Sequence, residues 1–382
     1  MTGTVTTARA TPPSPGRARR LAIVLAVAAA SLFPAAVAPA SADSVIGTIP
    51  VGLNPYGVAF SPNGLTAYVT NSGDNSVSVI DPALATVSST IGVGAAPVGV
   101  AFSPGGSIAY VVNTTDFTVS VINVAMGTVA TSIPAGPYPF SVGFTPLGAT
   151  AYVSNSNQPM AFVTAIDVGA ATSAATPGPA GDHFGLAVSP DGAKVYVTDS
   201  GANTVSVIDT STNTVSATIP VGVGPRSVAF SPDGTTAYVT NVSSDSVSVI
   251  DVANDTVVGT IAVGVAPSAV AFAPGGATAY VANYGADSVS VIDVASATVS
   301  ATLAVGSAPI GVSVSPDGTR AYVANNLDGT ISVIAIDAEG KPVLAASGSE
   351  ISLHLFLVAL VPIAIGGILL MRRRIVVENA SD

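Results

Sequence analysis

The sequence predicts an all-β fold: a seven-bladed β-propeller of four-stranded antiparallel blades, followed by one C-terminal transmembrane helix. Three observations predict it. FSPDGTTAYVTN at 230–241 returns as FAPGGATAYVAN 42 residues later and as VSPDGAKVYVTD 42 residues earlier. The tyrosine of this segment recurs at Tyr68, Tyr110, Tyr152, Tyr196, Tyr238, Tyr280 and Tyr322, with gaps of 42, 42, 44, 42, 42 and 42. Each copy holds four short, β-branched runs separated by turn residues, the size of one propeller blade.

Composition agrees. Of 382 residues, 49% are hydrophobic and 9% charged, with 38 glycines and 28 prolines. That is too apolar for disorder and too rich in Gly and Pro for a helical fold. There are no cysteines, which excludes a disulfide framework, a thiolate metal site and a Cys nucleophile.

Taken in order, residues 1–42 read as a signal peptide. Arg17, Arg19 and Arg20 precede an apolar run at 21–33, and Ala40-Ser41-Ala42 supplies a small-residue cleavage pattern. The run is too short to span a bilayer comfortably.

Residues 43–340 form the repeated body. In the fifth copy the four runs are SVAFS at 227–231, TAYVTN at 236–241, SVSVID at 246–251 and TVVGTIAV at 256–263. Pro232-Asp233-Gly234 joins the first two as a turn in which Pro presets φ and Gly accepts positive φ. Val247 and Val249 share one face of their strand, Ser246 and Ser248 the other. Blades stack face to face, so small Ala, Ser, Thr and Val side chains let neighbouring sheets approach. The motifs AYVTN, SVSVID and TIPVG in a 42-residue unit resemble the YVTN-type β-propeller repeat of bacterial and archaeal surface proteins. The resemblance covers about 290 residues. It implies the fold, and it leaves function open because propellers host binding modules, structural layers and enzymes alike.

Copies three, four and seven depart from the pattern. The third gains two residues around Gln158-Pro159-Met160, the fourth has Asp199 where the others have Asn, and the seventh has Ala335 where Asp is expected. The last copy also lacks its fourth run, and VIGTIPV at 45–51 matches the missing strand. That strand is expected beside 331–336, so that both ends of the ring seal one blade and leave no open edge.

Residues 341–350 are a linker containing LAASG, and 351–371 are 21 residues without formal charge. At about 1.5 Å per residue such a helix spans a bilayer. Arg372, Arg373 and Arg374 follow, which places 372–382 in the cytoplasm and the body outside, on a cell membrane or cell wall. LAASG resembles the Leu-Ala-X-Thr-Gly sortase signal of Gram-positive actinobacteria, with Ser347 where that family has Thr. It implies processing at Ser347-Gly348 as an alternative to a permanent anchor.

The body carries nineteen acidic residues against Lys194, Arg226 and Arg320. This balance excludes nucleic acid as a partner, since phosphate-backbone binding needs clustered cations. No cofactor and no metal site is expected. The body has one histidine, His183, and its aspartates recur once per copy, as turn-stabilising residues do. P-loop, dinucleotide and zinc signatures are absent.

Positions that refuse to repeat point to a site. Just before the first strand most copies read Pro-X-Gly or Pro-X-Ser, and X is Tyr56, Val98, Phe140, Phe184, Arg226, Ser268 and Ile310. In a propeller these residues ring one mouth of the central channel. The fourth copy replaces the proline with His183, preceded by Asp182. The candidate ligand-binding set is therefore Tyr56, Phe140, Asp182, His183, Phe184 and Arg226. The expected function is a non-enzymatic surface module that binds a protein or glycan or forms part of the envelope. The alternative is a lactonase- or lyase-type propeller enzyme acting in the channel.

Overall fold

The computed structural model describes residues 43–158, 163–176, 178 and 181–337. The expected signal, the LAASG linker, the 351–371 span and the tail lie outside the described residues. Among the described residues no helix is long and apolar enough to cross a membrane.

The elements are strands throughout, and blade five shows how a copy builds a blade. Pro225–Phe230, Thr236–Asn241, Ser246–Asp251 and Thr256–Ala262 pair in sequence order as one antiparallel sheet. The first turn is held as the Pro-Asp-Gly sequence requires. Asp233 accepts from Ser231 Oγ at 2.6 Å and the Thr235 amide at 3.0 Å, and Gly234 adopts φ 72°. Both faces of the two middle strands are buried, whereas the fourth strand exposes most of its residues. Burial on both faces follows from having a blade on either side.

Five four-stranded sheets and one eight-stranded sheet make seven blades. Their inner strands neighbour one another in cyclic order, the first touching the seventh. At five of the seven blade junctions the repeated tyrosine packs on the phenylalanine of the next blade. Tyr68 meets Phe102 at 4.6 Å, Tyr110 meets Phe144 at 4.7 Å and, across the closure, Tyr322 meets Phe60 at 4.7 Å.

The closing strand is where its sequence places it. Ser44–Pro50 pairs antiparallel with Thr330–Ala335, with Ile49 opposite Ile331, as the fourth strand of blade seven. Asp43 accepts from the Asp337 amide at 3.0 Å and from the Tyr280 hydroxyl at 2.6 Å, clasping the two ends of the ring.

Blades three and four differ from a simple repeat. The strand Thr150–Gln158 runs past the usual length and pairs with Gly181–Val188, Ser156 opposite Asp182 and Gln158 opposite Gly181. The two blades thus share one eight-stranded sheet. This occurs in the copy with the two-residue insertion, whose residues 159–162 lie outside the described residues.

Candidate functional site at the channel mouth

The Pro-X-Gly pattern has a steric cause. In four blades the residue after X is a glycine, and the X carbonyl of the next blade lies against it. A Cβ on Gly99 would come within 2.6 Å of the Phe140 carbonyl oxygen, and one on Gly185 within 2.5 Å of that of Arg226. Hydroxyls from the second strands grip the same carbonyls: Thr70 Oγ1 donates to Val98 O at 2.7 Å and Ser154 Oγ to Phe184 O at 2.6 Å. The X residues are therefore set on rigid backbone around the axis.

Four of them converge. Arg226 in blade five donates through Nη2 to the Tyr56 hydroxyl of blade one. Its guanidinium lies 5.9 Å from the Phe140 ring centre and 5.8 Å from that of Phe184, within cation–π range. Phe140 packs edge-on against Phe184 at 4.9 Å and against Tyr56 at 5.6 Å. Burial pushes the Tyr56 hydroxyl above the usual phenol range, and the Arg226 charge opposes that rise. Val98, Ser268 and Ile310 complete the ring as buried wall. The channel beneath holds a cavity of about 180 Å³, lined by Val58, Val100, Val142, Val270 and Val312.

The other two candidates stand apart from this cluster. Asp182 is exposed. His183 is fully buried inside blade four, with Nδ1 3.2 Å from the Asn155 carbonyl oxygen and Nε2 3.4 Å from Asp199 Oδ2. Burial pushes the His183 pKa down, opposed by the Asp199 carboxylate, the Asn155 carbonyl and Asp182. The sequence reading placed His183 at the mouth because it takes the proline's position. The structure shows that this position points into the blade and faces the residue at the end of the second strand.

The aspartates do turn work. Asp74 and Asp116 in the second hairpins accept from the amides of Leu53 and Ala95, at 2.5 Å and 2.6 Å. Asp191, Asp233 and Asp317 are held below the usual carboxylate range by the hydroxyls of Ser189, Ser231 and Ser315. Among the described residues no group of three or more His, Cys, Asp or Glu side chains converges as a metal site. A larger hollow of about 700 Å³ opens at the turns of blades four and five, lined in part by Asp191, Lys194 and Asp233. Its charged groups are engaged locally, the aspartates in their turns and Lys194 with Asp255 at 2.9 Å. The channel mouth, where residues from four blades meet, is the stronger candidate.

Comparison with known proteins supports the architecture. A family model described as "Lactonase, 7-bladed beta-propeller" matches residues 176–347. A solved structure, "Kuenenia stuttgartiensis Hydrazine Synthase", matches with a TM-score of 0.69 and 22% identity. The match covers 74% of this chain and 95% of that one. The chain is a β-propeller. At that identity the likeness to the solved structure shows the fold alone. No curated protein matches the chain. The lactonase match leans toward the enzymatic alternative and lends no support to the expectation of a non-enzymatic module.

Proposed function

We propose that this protein is an exported, anchored β-propeller that acts as a lactonase-type hydrolase at the Arg226 mouth. The observation that carries the reading is the span of the lactonase-model match. Residues 176–347 take in blades four to seven and supply Phe184 and Arg226, the cation of the mouth and one of the rings it faces. A guanidinium fixed by a phenol and flanked by aromatic rings is suited to stabilising the negative charge that develops on a carbonyl oxygen. The rings offer walls for a small cyclic ester. Water adds to the carbonyl carbon, the ring C–O bond breaks, and the alkoxide takes up the proton that water gives up, leaving a hydroxy acid. The water proton reaches the alkoxide through solvent, since Asp182 is exposed outside the cluster.

A second reading is favoured by a different observation. His183 is buried away from the mouth, and the aspartates of the repeat are held in turns. This suits a non-catalytic surface module that recognises a protein or glycan. One experiment separates the readings. Full-length protein is assayed by pH-stat against γ- and δ-lactones and simple esters, with and without added divalent cations. Turnover that falls in Arg226→Ala and persists in Arg320→Ala supports the hydrolase. No turnover on any member of the panel overturns it and leaves the binding module.

A further inference from the structure

In six blades the inner strand opens with a proline that faces an asparagine on the second strand, as Pro225 faces Asn241 and Pro267 faces Asn283. In blade four both residues change together, and His183 faces Asp199. The exchange removes hydrogen bonds. Asn241 Nδ2 donates to Ser246 Oγ at 3.2 Å and Ser248 Oγ at 3.0 Å, and Asn71, Asn113, Asn283 and Asn325 make the same pair of bonds. A carboxylate has no proton to give. Ser206, fully buried at the position of Ser248, receives none from Asp199. What the exchange adds is a buried acid facing a buried imidazole.

The distances describe the resting state. The Asn155 carbonyl accepts only, so the ring proton belongs on Nδ1, 3.2 Å away. Nε2 then faces Asp199 Oδ2 at 3.4 Å, longer than the roughly 2.7–2.9 Å of a charge-assisted bond. The other side-chain oxygen of Asp199 accepts from the amides of Gly201 and Ala202.

We propose that His183 and Asp199 form a proton-operated latch between the first two strands of blade four. On acidification Nε2 gains a proton and bonds to Asp199 Oδ2, joining two strands that carry proline and asparagine at this place in the other six blades. Among the described residues, the charged and polar groups acting on the ring include Asp199 on the second strand, the Asn155 carbonyl of blade three and Asp182 on its own strand. The latch acts on the mouth because Phe184, the next residue, is one of the two rings over which Arg226 lies. Desolvation sets its working range below the ordinary imidazole value of 6.5.

Histidine NMR on the full chain tests this cleanly, because there are only two histidines and His354→Gln leaves one. The His183 resonances should titrate below pH 6.5. Asp199→Asn, which removes the main group favouring the proton, should move the midpoint to still lower pH. The near-UV circular dichroism of the tyrosines should change with the same midpoint as His183. In the double variant His183→Pro/Asp199→Asn, which restores the pair used by the other blades, that step should vanish. A His183 midpoint at the ordinary value, one indifferent to Asp199→Asn, or a tyrosine signal that does not follow it would each overturn the latch. The single variant decides the matter even where the double variant folds poorly.

Discussion

Lys194 and Arg320 occupy the same position of the repeat, two residues before the core tyrosine, and make the same contact. Lys194 Nζ donates to the Val252 carbonyl at 2.8 Å and Arg320 Nη1 to the Pro82 carbonyl at 2.6 Å, in each case the residue after the strand-ending aspartate of the next blade. Lys194 adds Asp255 at 2.9 Å, which also accepts from the Tyr196 hydroxyl. These cations are struts between blades four and five and between blades seven and one. Lys194→Met, which keeps the aliphatic stem, should cost about 1 kcal/mol, since the pair is partly exposed. Arg320→Ala should weaken the closing interface by a similar amount. Urea unfolding of each variant checks both, and an unchanged midpoint would remove the struts from the account.

Closure makes a second prediction. Ile49 is 2% exposed opposite Ile331, while Ile46 on the same strand is 57% exposed. Ile49→Ala should destabilise the whole ring by about 2–5 kcal/mol. Ile46→Ala should stay within about 0.5 kcal/mol. Equal effects at the two positions in chemical denaturation would contradict the register of the closing strand.

The glycines after X make a third. Gly99→Ala and Gly185→Ala push a Cβ onto backbone carbonyls of the neighbouring blade, which cannot swing aside as a side chain would. Each should lower the thermal midpoint clearly, whereas Gly105→Ala meets nothing within 4 Å and should be nearly neutral. Calorimetry on the three variants reads the difference.

These sites differ in how far the sequence reveals them. Closure was legible because the repeat has a phase: a fourth run missing after Asp337 and an unclaimed match at 45–51 belong together. The mouth was legible as a set of seven positions, but not the contact among four of them. Arg226 and Tyr56 are 170 residues apart, and only the narrowness of the channel brings them together. His183 was misplaced because the next residue, Phe184, sits at the mouth, whereas in a strand successive side chains alternate faces. Asp199 and His183 were both visible as departures in one copy, and the antiparallel register that pairs them was the missing step. The basic residues were legible only as charge, since the struts depend on how one blade is staggered against the next.

Acid should act through the turns. Asp191, Asp233 and Asp317 have folded pKa values below the ordinary 3.8, chiefly because serine hydroxyls bond their carboxylates. A depressed carboxylate contributes stability that is complete above about 3.8 and is lost as pH falls through the folded value. The thermal midpoint should therefore drop below pH 4, and Asp233→Asn should flatten that slope. A slope unchanged in the variant would show that the turn hydrogen bond does not favour the ionised form.

The central claim, that the mouth built on Arg226 is where the propeller meets and acts on its ligand, is tested most directly by comparing two arginines. The measurement is kcat/KM for the best lactone of the panel, in full-length wild type, Arg226→Ala, Arg226→Lys and Arg320→Ala, with a melting curve for each. Arg226→Ala should lose about 100-fold or more while melting close to wild type. Arg226→Lys should recover only part of that loss, because an ammonium keeps the charge without the planar fork. Arg320→Ala should melt lower and keep its rate. Wild-type kcat/KM in Arg226→Ala, or equal losses in Arg226→Ala and Arg320→Ala, would contradict the account.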